Sequence, residues 1–258
     1  LKSSPINEHI LKIEEEFNRF VSLAGGKKVS ELIGLNPTFD NADYIFNSDE
    51  ILVELKCLED NKLNDKAINE KILRLYGKWK AEGYNISLVN NEWRATVSNL
   101  PKELSLQILK IYAKPIRKRI IKANKQIKGT KKALQCEHYK GVLLLANDGN
   151  LALDPEHIYA ILNYVLGTSY SGINAVVFFT VNQVAKASFT NADTLVWANL
   201  NRQGFEPVSE EFFDKLSNGW LEHMGDILGY LPQGIDLKKE KNLSKLVNIN
   251  KDITCHCS

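Results

Sequence analysis

The stretch Ile51-Leu52-Val53-Glu54-Leu55-Lys56-Cys57 is apolar at all but two positions, and those two carry opposite charges two residues apart. An aliphatic run of this length reads as a β-strand. The strand period of two puts Glu54 and Lys56 on one side, with Val53, Leu55 and Cys57 on the other. Upstream, Tyr44-Ile45-Phe46 is a second short apolar run, and Asn47-Ser48-Asp49-Glu50 between the two is hairpin punctuation. If the earlier strand begins at Asp43, the hairpin sets Asp43 beside Glu54 at one strand end. Two carboxylates converging there suit a hard divalent cation, which prefers oxygen ligands and keeps waters for substrate. Phosphodiester hydrolysis needs a cation to neutralise developing charge and acidify a water, and a second cation to orient that water. Lys56 is placed for the second role. The plainer alternative is a surface salt bridge between Glu54 and Lys56, worth about 0–1 kcal/mol.

Outward from this hairpin, Ile6, Ile10, Ile13, Phe17 and Phe20 recur at helical spacing over Asn7 to Leu23, and Gly25-Gly26 stop the helix. Glu14, Glu15 and Glu16 interrupt its middle; at 100° per residue Glu14 falls nearest the apolar stripe and Glu15 nearly opposite. Downstream, Leu63 to Ala81 predicts a second helix, and Ile86–Val89 with Trp93–Val97 a second hairpin through Asn90-Asn91. Leu100-Pro101 opens a helical stretch that Pro115 is expected to divide, because proline fits a helix's first turn and not its interior. Val142–Ala146 and Ile173–Val181 read as buried strands with a helix, Asp154–Leu166, between them, the order of a crossover in a mixed sheet. Thr194–Leu200 adds a strand and Glu210–Met224 a helix, and from Lys238 a loosely held tail is expected. The expectation is a single α/β domain over residues 1–237 with a central mixed β-sheet flanked by helices, and a tail over 238–258.

An apolar fraction of 44% and a charged fraction of 25% in 258 residues are ordinary for a globular chain. No run of about 18 apolar residues offers a membrane span. Residues 1–20 lack the charged start and apolar core of a signal peptide, which predicts a cytoplasmic protein. Four cysteines make no disulfide framework, and Cys255-His256-Cys257 without a second cluster cannot close a zinc tetrahedron. No glycine-rich phosphate loop is present, which argues against intrinsic nucleotide hydrolysis. Asn147-Asp148 reads as turn chemistry, and His138, His157 and His223 stand isolated.

The net charge of +2 hides an asymmetry: residues 110–132 hold ten Lys or Arg and no Asp or Glu, leaving the rest of the chain at net −8. Ile116, Ile120, Ala123 and Ile127 form an apolar stripe there, while Arg117, Lys118, Lys122, Lys125, Lys128 and Lys132 fall on other faces. A helix so built packs on a core and offers cations outward, a surface for polyphosphate. Two readings of another class compete with an enzyme: a nucleic-acid-binding module with structural carboxylates, and an interaction protein whose basic helix docks an acidic partner.

The order amphipathic helix, Asp-led strand, polar turn, Glu-x-Lys strand, helices and buried strand resembles the PD-(D/E)xK nuclease superfamily. The carrying residues are Pro37-Thr38-Phe39-Asp40-Asn41-Ala42-Asp43-Tyr44-Ile45-Phe46 and Ile51 to Lys56. The likeness covers residues 5–60 and extends more loosely to Val181; residues 62–97 look like an insert, so the core would be about 5–60 and 100–181. Pro37 is not adjacent to Asp43, so the leading Pro-Asp pair is absent; Asp40 competes as first acid, and Asp43 is favoured because it directly precedes the strand. The resemblance implies a restriction-endonuclease-like core and Mg²⁺-dependent cleavage of DNA, with Mn²⁺ substituting and RNA as the alternative substrate. It implies Asp43, Glu54 and the Leu55 carbonyl as metal ligands, Lys56 as the water-activating lysine, and Glu14 as an added ligand from the first helix. Lys125-Gln126 resembles the Lys or Gln that several branches draw from the helix after this strand, which makes Gln126 a catalytic candidate. A homodimer is the arrangement that would let one-site subunits cut both strands.

Overall fold

In the computed structural model the residues described are 12–34, 37, 39–58, 66–84, 87–89, 92–95, 102–148, 155–167, 170–181, 185–186, 193–229, 233–236 and 253–254. The first helix, α1 (Ile13–Leu23), buries Ile13, Phe17, Phe20 and Val21. Gly25 follows at φ 81, a left-handed conformation that glycine adopts without cost. Ile6 and Ile10, expected on the same stripe, lie outside the described residues. Two short elements, β1 (Lys27–Lys28) and α2 (Val29–Ile33), then lead to the expected hairpin, β2 (Tyr44–Phe46) and β3 (Ile51–Leu58). A single turn of 3-10 helix over Asn47–Asp49 and a left-handed Glu50 at φ 55 join them, and Tyr44 pairs with Val53, Ile45 with Leu52 and Phe46 with Ile51.

After β3 come α3 (Lys66–Ala81), the hairpin β4 (Ser87–Val89) and β5 (Glu92–Ala95), and α4 (Lys102–Leu134). The chain continues through β6 (Lys140–Asp148), α5 (Pro155–Leu166), β7 (Ala175–Val181), β8 (Ala185–Lys186) and β9 (Asp193–Asn201). It ends in α6 (Glu210–Leu228), β10 (Gln233–Asp236) and β11 (Ile253–Thr254). Eight of the described strands form one sheet in the order β1-β2-β3-β6-β7-β9-β10, with β8 also on β9. The inner strands β3, β6 and β7 run parallel, while β2 on β3 and β9 on β7 are antiparallel, so the sheet is mixed.

Both faces of the sheet are covered, which explains why β6 and β7 are apolar without alternation. On one face Leu52, Leu58, Leu143, Leu145, Val176 and Phe178 pack with Ile116, Ile120, Ala123 and Ile127 of α4 and with Ile158, Ile161 and Val165 of α5. On the other, Val53, Leu55, Leu144, Val177 and Phe179 pack with Phe17 and Phe20 of α1 and with Phe212, Phe213 and Trp220 of α6.

The expected break at Pro115 does not occur: α4 runs unbroken for 33 residues with the proline inside it. Proline there removes one helical hydrogen bond, and burial on both sides offsets that loss. Before Pro115, Leu104 and Ile108 pack on Ile72, Tyr76 and Trp79 of α3 in a small separate core; after it the helix lies on the sheet. Helix α3, within the segment expected as an insert, therefore leans on the first half of α4. Near the other end of the chain Ile253 and Thr254 pair with Ala95 and Arg94 of β5, while the remainder of the segment expected as a tail, 238–252 and 255–258, lies outside the described residues.

The seat of α4 depends on a close approach at the start of β6. A Cβ added to Gly141 would lie 1.9 Å from the Gly172 carbonyl oxygen and 2.9 Å from Cγ2 of Ile127. Gly172 cannot retreat, being itself hemmed in by Lys128 and by Asn124. Gly141→Ala should therefore cost about 2–3 kcal/mol, the range of core overpacking. The measurement is a urea titration, in which the midpoint falls at constant slope; an unchanged midpoint would mean that the approach is soft.

Candidate active site

Asp43 is fixed from three sides. Its N–H donates to the Val53 carbonyl at 3.1 Å, its carbonyl accepts from the Val29 N–H at 2.9 Å, and its Oδ2 accepts from the Leu55 N–H at 2.7 Å. The residue before it is held as well: the Ala42 N–H donates to Oγ1 of the buried Thr130 at 2.7 Å, and Nε2 of Gln126 donates to the Asn41 carbonyl at 2.9 Å. One flank of α4 thus clamps the approach to β2. Gly129 on that flank lets Phe39 and the Asp40 carbonyl come close.

Glu54, one residue beyond the end of the β2 pairing, is fully buried on the α4 face of β3. Its Oε1 accepts from Nζ of Lys56, and its Oε2 is buried with no hydrogen-bond partner among the described residues. Burial, and then the charge of Asp43, push the Glu54 carboxyl up to about 8, against the opposing pull of Lys56 and Lys122. Burial likewise raises Asp43, opposed by the Leu55 N–H and by Lys56. Two desolvated carboxyls, of which Asp43 raises Glu54 while Glu54 lowers Asp43 by hydrogen bonding, form a site with a deficit of positive charge. Among the described residues no three His, Cys, Asp or Glu side chains are grouped to hold a metal ion. Mg²⁺ asks for less: one or two carboxylates, with waters and substrate phosphate completing the shell. Asp43 and Glu54 match that donor set.

A residue's N–H and C=O leave a strand on the same side. Because the Leu55 N–H meets Asp43, its carbonyl faces the same edge of β3, past the point where β2 ends. Glu14 is exposed on α1, and its charge raises Asp43. Its neighbours are engaged, Glu15 with Lys12 and Glu16 with Arg19 and His223, whereas Glu14 has no ion pair among the described residues. Gln126 is buried, and its Oε1 has no partner among the described residues. Asp40 is exposed. Asp43→Asn should therefore weaken the response to Mg²⁺ at least tenfold and Asp40→Asn by less than about threefold, the loss of one charge at a two-carboxylate site being the larger perturbation. A Mg²⁺ titration of activity decides, and the reverse order would make Asp40 the first acid.

Of the cations off the apolar stripe, Arg117, Lys118, Lys122, Lys125 and Lys128 are the five expected to face nucleic acid, and they separate by position. Lys118, Lys122, Lys125 and Lys128 are exposed. Lys122 acts electrostatically on Glu54 and so borders the site. Lys128 lies against Gly172, away from the carboxylates, and Arg117 is half-buried with its guanidinium over the Tyr164 ring at 5.6 Å. A cation not singled out by the sequence pattern, Arg119, is the one that reaches the strand: its Nε donates to the Cys57 carbonyl at 3.0 Å. The spacing Arg119, Lys122, Gln126 at i, i+3, i+7 is the signal that marks one helix face.

Comparison of the chain with models of protein families, with curated proteins and with solved structures returns no match.

Proposed function

We propose that the protein is a Mg²⁺-dependent nuclease of the PD-(D/E)xK type, hydrolysing phosphodiester bonds in DNA. The observation that carries the reading is the convergence of Asp43 and a buried, half-satisfied Glu54 on one strand end, with Lys56 bonded to the same carboxylate. The order of α1, the β2–β3 hairpin, α4 and the parallel strand β6 supports the restriction-endonuclease-like core. The ion would sit between Asp43, Glu54 and the Leu55 carbonyl. It would supply charge neutralisation at the scissile phosphate and a water of lowered pKa. The chain's own residues do the rest. Leu55 N–H and the Thr130 clamp hold Asp43 in place, so no reorganisation is needed when substrate arrives. Lys56, tethered by Glu54, presents an ammonium beside the carboxylates and orients the attacking water. Lys122 adds positive potential at Glu54, favouring approach of a phosphate.

The test is incubation of the purified chain with supercoiled plasmid, linear duplex, single-stranded DNA and RNA, with Mg²⁺, with Mn²⁺ and with chelator. Cleavage of DNA that requires the cation is the expected result. Cutting of RNA alone would move the reading to a ribonuclease, and no cleavage of any substrate with either cation would overturn it.

Exposed Lys118 and Lys125 offer phosphate-binding charge outside the site. Lys118→Gln with Lys125→Gln should weaken binding to duplexes of any sequence and flatten the slope of log affinity against log salt by about 1.8, or 0.9 for each phosphate no longer neutralised. An unchanged slope would leave an acidic protein as the better partner for this helix.

A further inference from the structure

The Arg119 guanidinium is anchored on one edge and idle on the other. Nε donates to the Cys57 carbonyl across the α4–β3 interface, while Nη1 and Nη2 make no hydrogen bond or ion pair among the described residues. The side chain is half-buried, so much of its rotamer freedom is already spent on that anchor. The anchor also fixes where the free edge lies. Val53 accepts from the Asp43 N–H across the β2 side of β3, so alternate residues Val53, Leu55 and Cys57 all turn their carbonyls to that edge. The Cys57 carbonyl stands two residues beyond the Leu55 carbonyl, about 6.6–6.8 Å along the strand. That is close to one nucleotide's length of extended backbone. Further along α4, Gln126 and Thr130 meet Asn41 and Ala42 on the approach to Asp43, whereas Arg119 meets Cys57 beyond Glu54, which sets Arg119 to the outside of the carboxylates.

We infer that Arg119 grips the phosphate next to the scissile one, its two Nη groups donating to non-bridging oxygens. The inference rests on the nuclease reading and adds to it the register of the bound strand. A fork of donors held in advance suits a phosphodiester; a lysine at this position could not hold the Cys57 carbonyl and present a fork together.

The experiment uses the full chain and a short duplex in which the cleavage position has been mapped. Single methylphosphonates, neutral and short of one oxygen, replace each phosphate flanking the scissile bond in turn. Binding is measured without divalent cation, and kcat/KM with Mg²⁺. In the wild type, one flanking substitution should weaken binding and lower kcat/KM by about 10–100-fold, the range for a charge-assisted pair. Arg119→Ala should show that loss on the all-phosphate duplex and no further loss on the modified one. Arg119→Lys should recover only part. The inference is overturned if Arg119→Ala binds and cleaves as the wild type, including the case in which only its melting temperature falls, since Arg119 would then merely cap Cys57. It is overturned too if the mutant remains fully sensitive to every flanking methylphosphonate. Where the wild type cuts no duplex with Mg²⁺ or Mn²⁺ and no position can be mapped, the methylphosphonate is moved through every phosphate of one short duplex; a loss of binding that depends on Arg119 would then overturn the nuclease reading and leave a phosphate-gripping module.

Discussion

Glu54→Gln is expected to lower Mg²⁺-dependent hydrolysis by about 10³-fold or more while making the metal-free protein more stable above about pH 8. The two effects have one cause. Glu54 is fully buried with one oxygen unpartnered among the described residues, and its carboxyl is raised from an ordinary 4.5 to about 8, chiefly by burial. Between those values the folded protein keeps a proton that the unfolded chain has released, so the contribution to stability is complete below pH 4.5 and is lost as pH rises through 8. Glutamine has the same shape and no proton to lose, so the mutant should lack this slope. The amplitude is on the order of a few kcal/mol at about 1.4 kcal/mol per pH unit, reduced by the partner that Lys56 loses. Urea titrations at several pH values in chelator, paired with cleavage assays, measure both. A mutant that cleaves normally would remove Glu54 from the site, and one that keeps the wild-type slope would place the titration elsewhere.

Lys56→Ala should abolish cleavage and spare binding. The Lys56 ammonium is tethered to Glu54, and on the proposed reading it therefore acts at the reacting phosphate rather than along the length of the substrate. Losing a group that acts in the transition state lowers kcat by about 10²–10⁴-fold while the dissociation constant moves little. A further sign separates this role from a structural one. Lys56 opposes the rise of the Glu54 carboxyl, so its removal leaves the pair of carboxylates more in need of a cation. Divalent affinity measured by calorimetry should hold or increase as activity disappears. Loss of cation binding together with activity would mean that Lys56 shapes the carboxylates and does not act on the water.

The hairpin and its pairing were legible because strand physics is local there. The period of two, the polar turn and the position of Asp43 before an apolar run together imply that Asp43 and Glu54 lie opposite, and the Tyr44–Val53 register puts them there. The strands β6 and β7 were legible as uninterrupted apolar runs, since a strand covered on both faces has no polar side to show. Helix α4 departs from expectation at Pro115 because the local cost of proline takes no account of the burial of Ile108 and Ile116 on either side. The same limit hid Arg119 among its like-charged neighbours.

The α/β class, the hairpin, the side of β3 that Glu54 and Lys56 share, and the single basic helix all follow from periods of two and 3.6 residues and from charge counting, so they are written in the chain itself. Folding in three dimensions settled the rest: which face of α4 meets the carboxylates, the clamp of Thr130 on Ala42 across 88 residues, the bond from Arg119 to Cys57 across 62, and the burial that leaves Glu54 with an idle oxygen. Desolvation and long-range hydrogen bonds depend on what the chain brings from far away, and no local period records that.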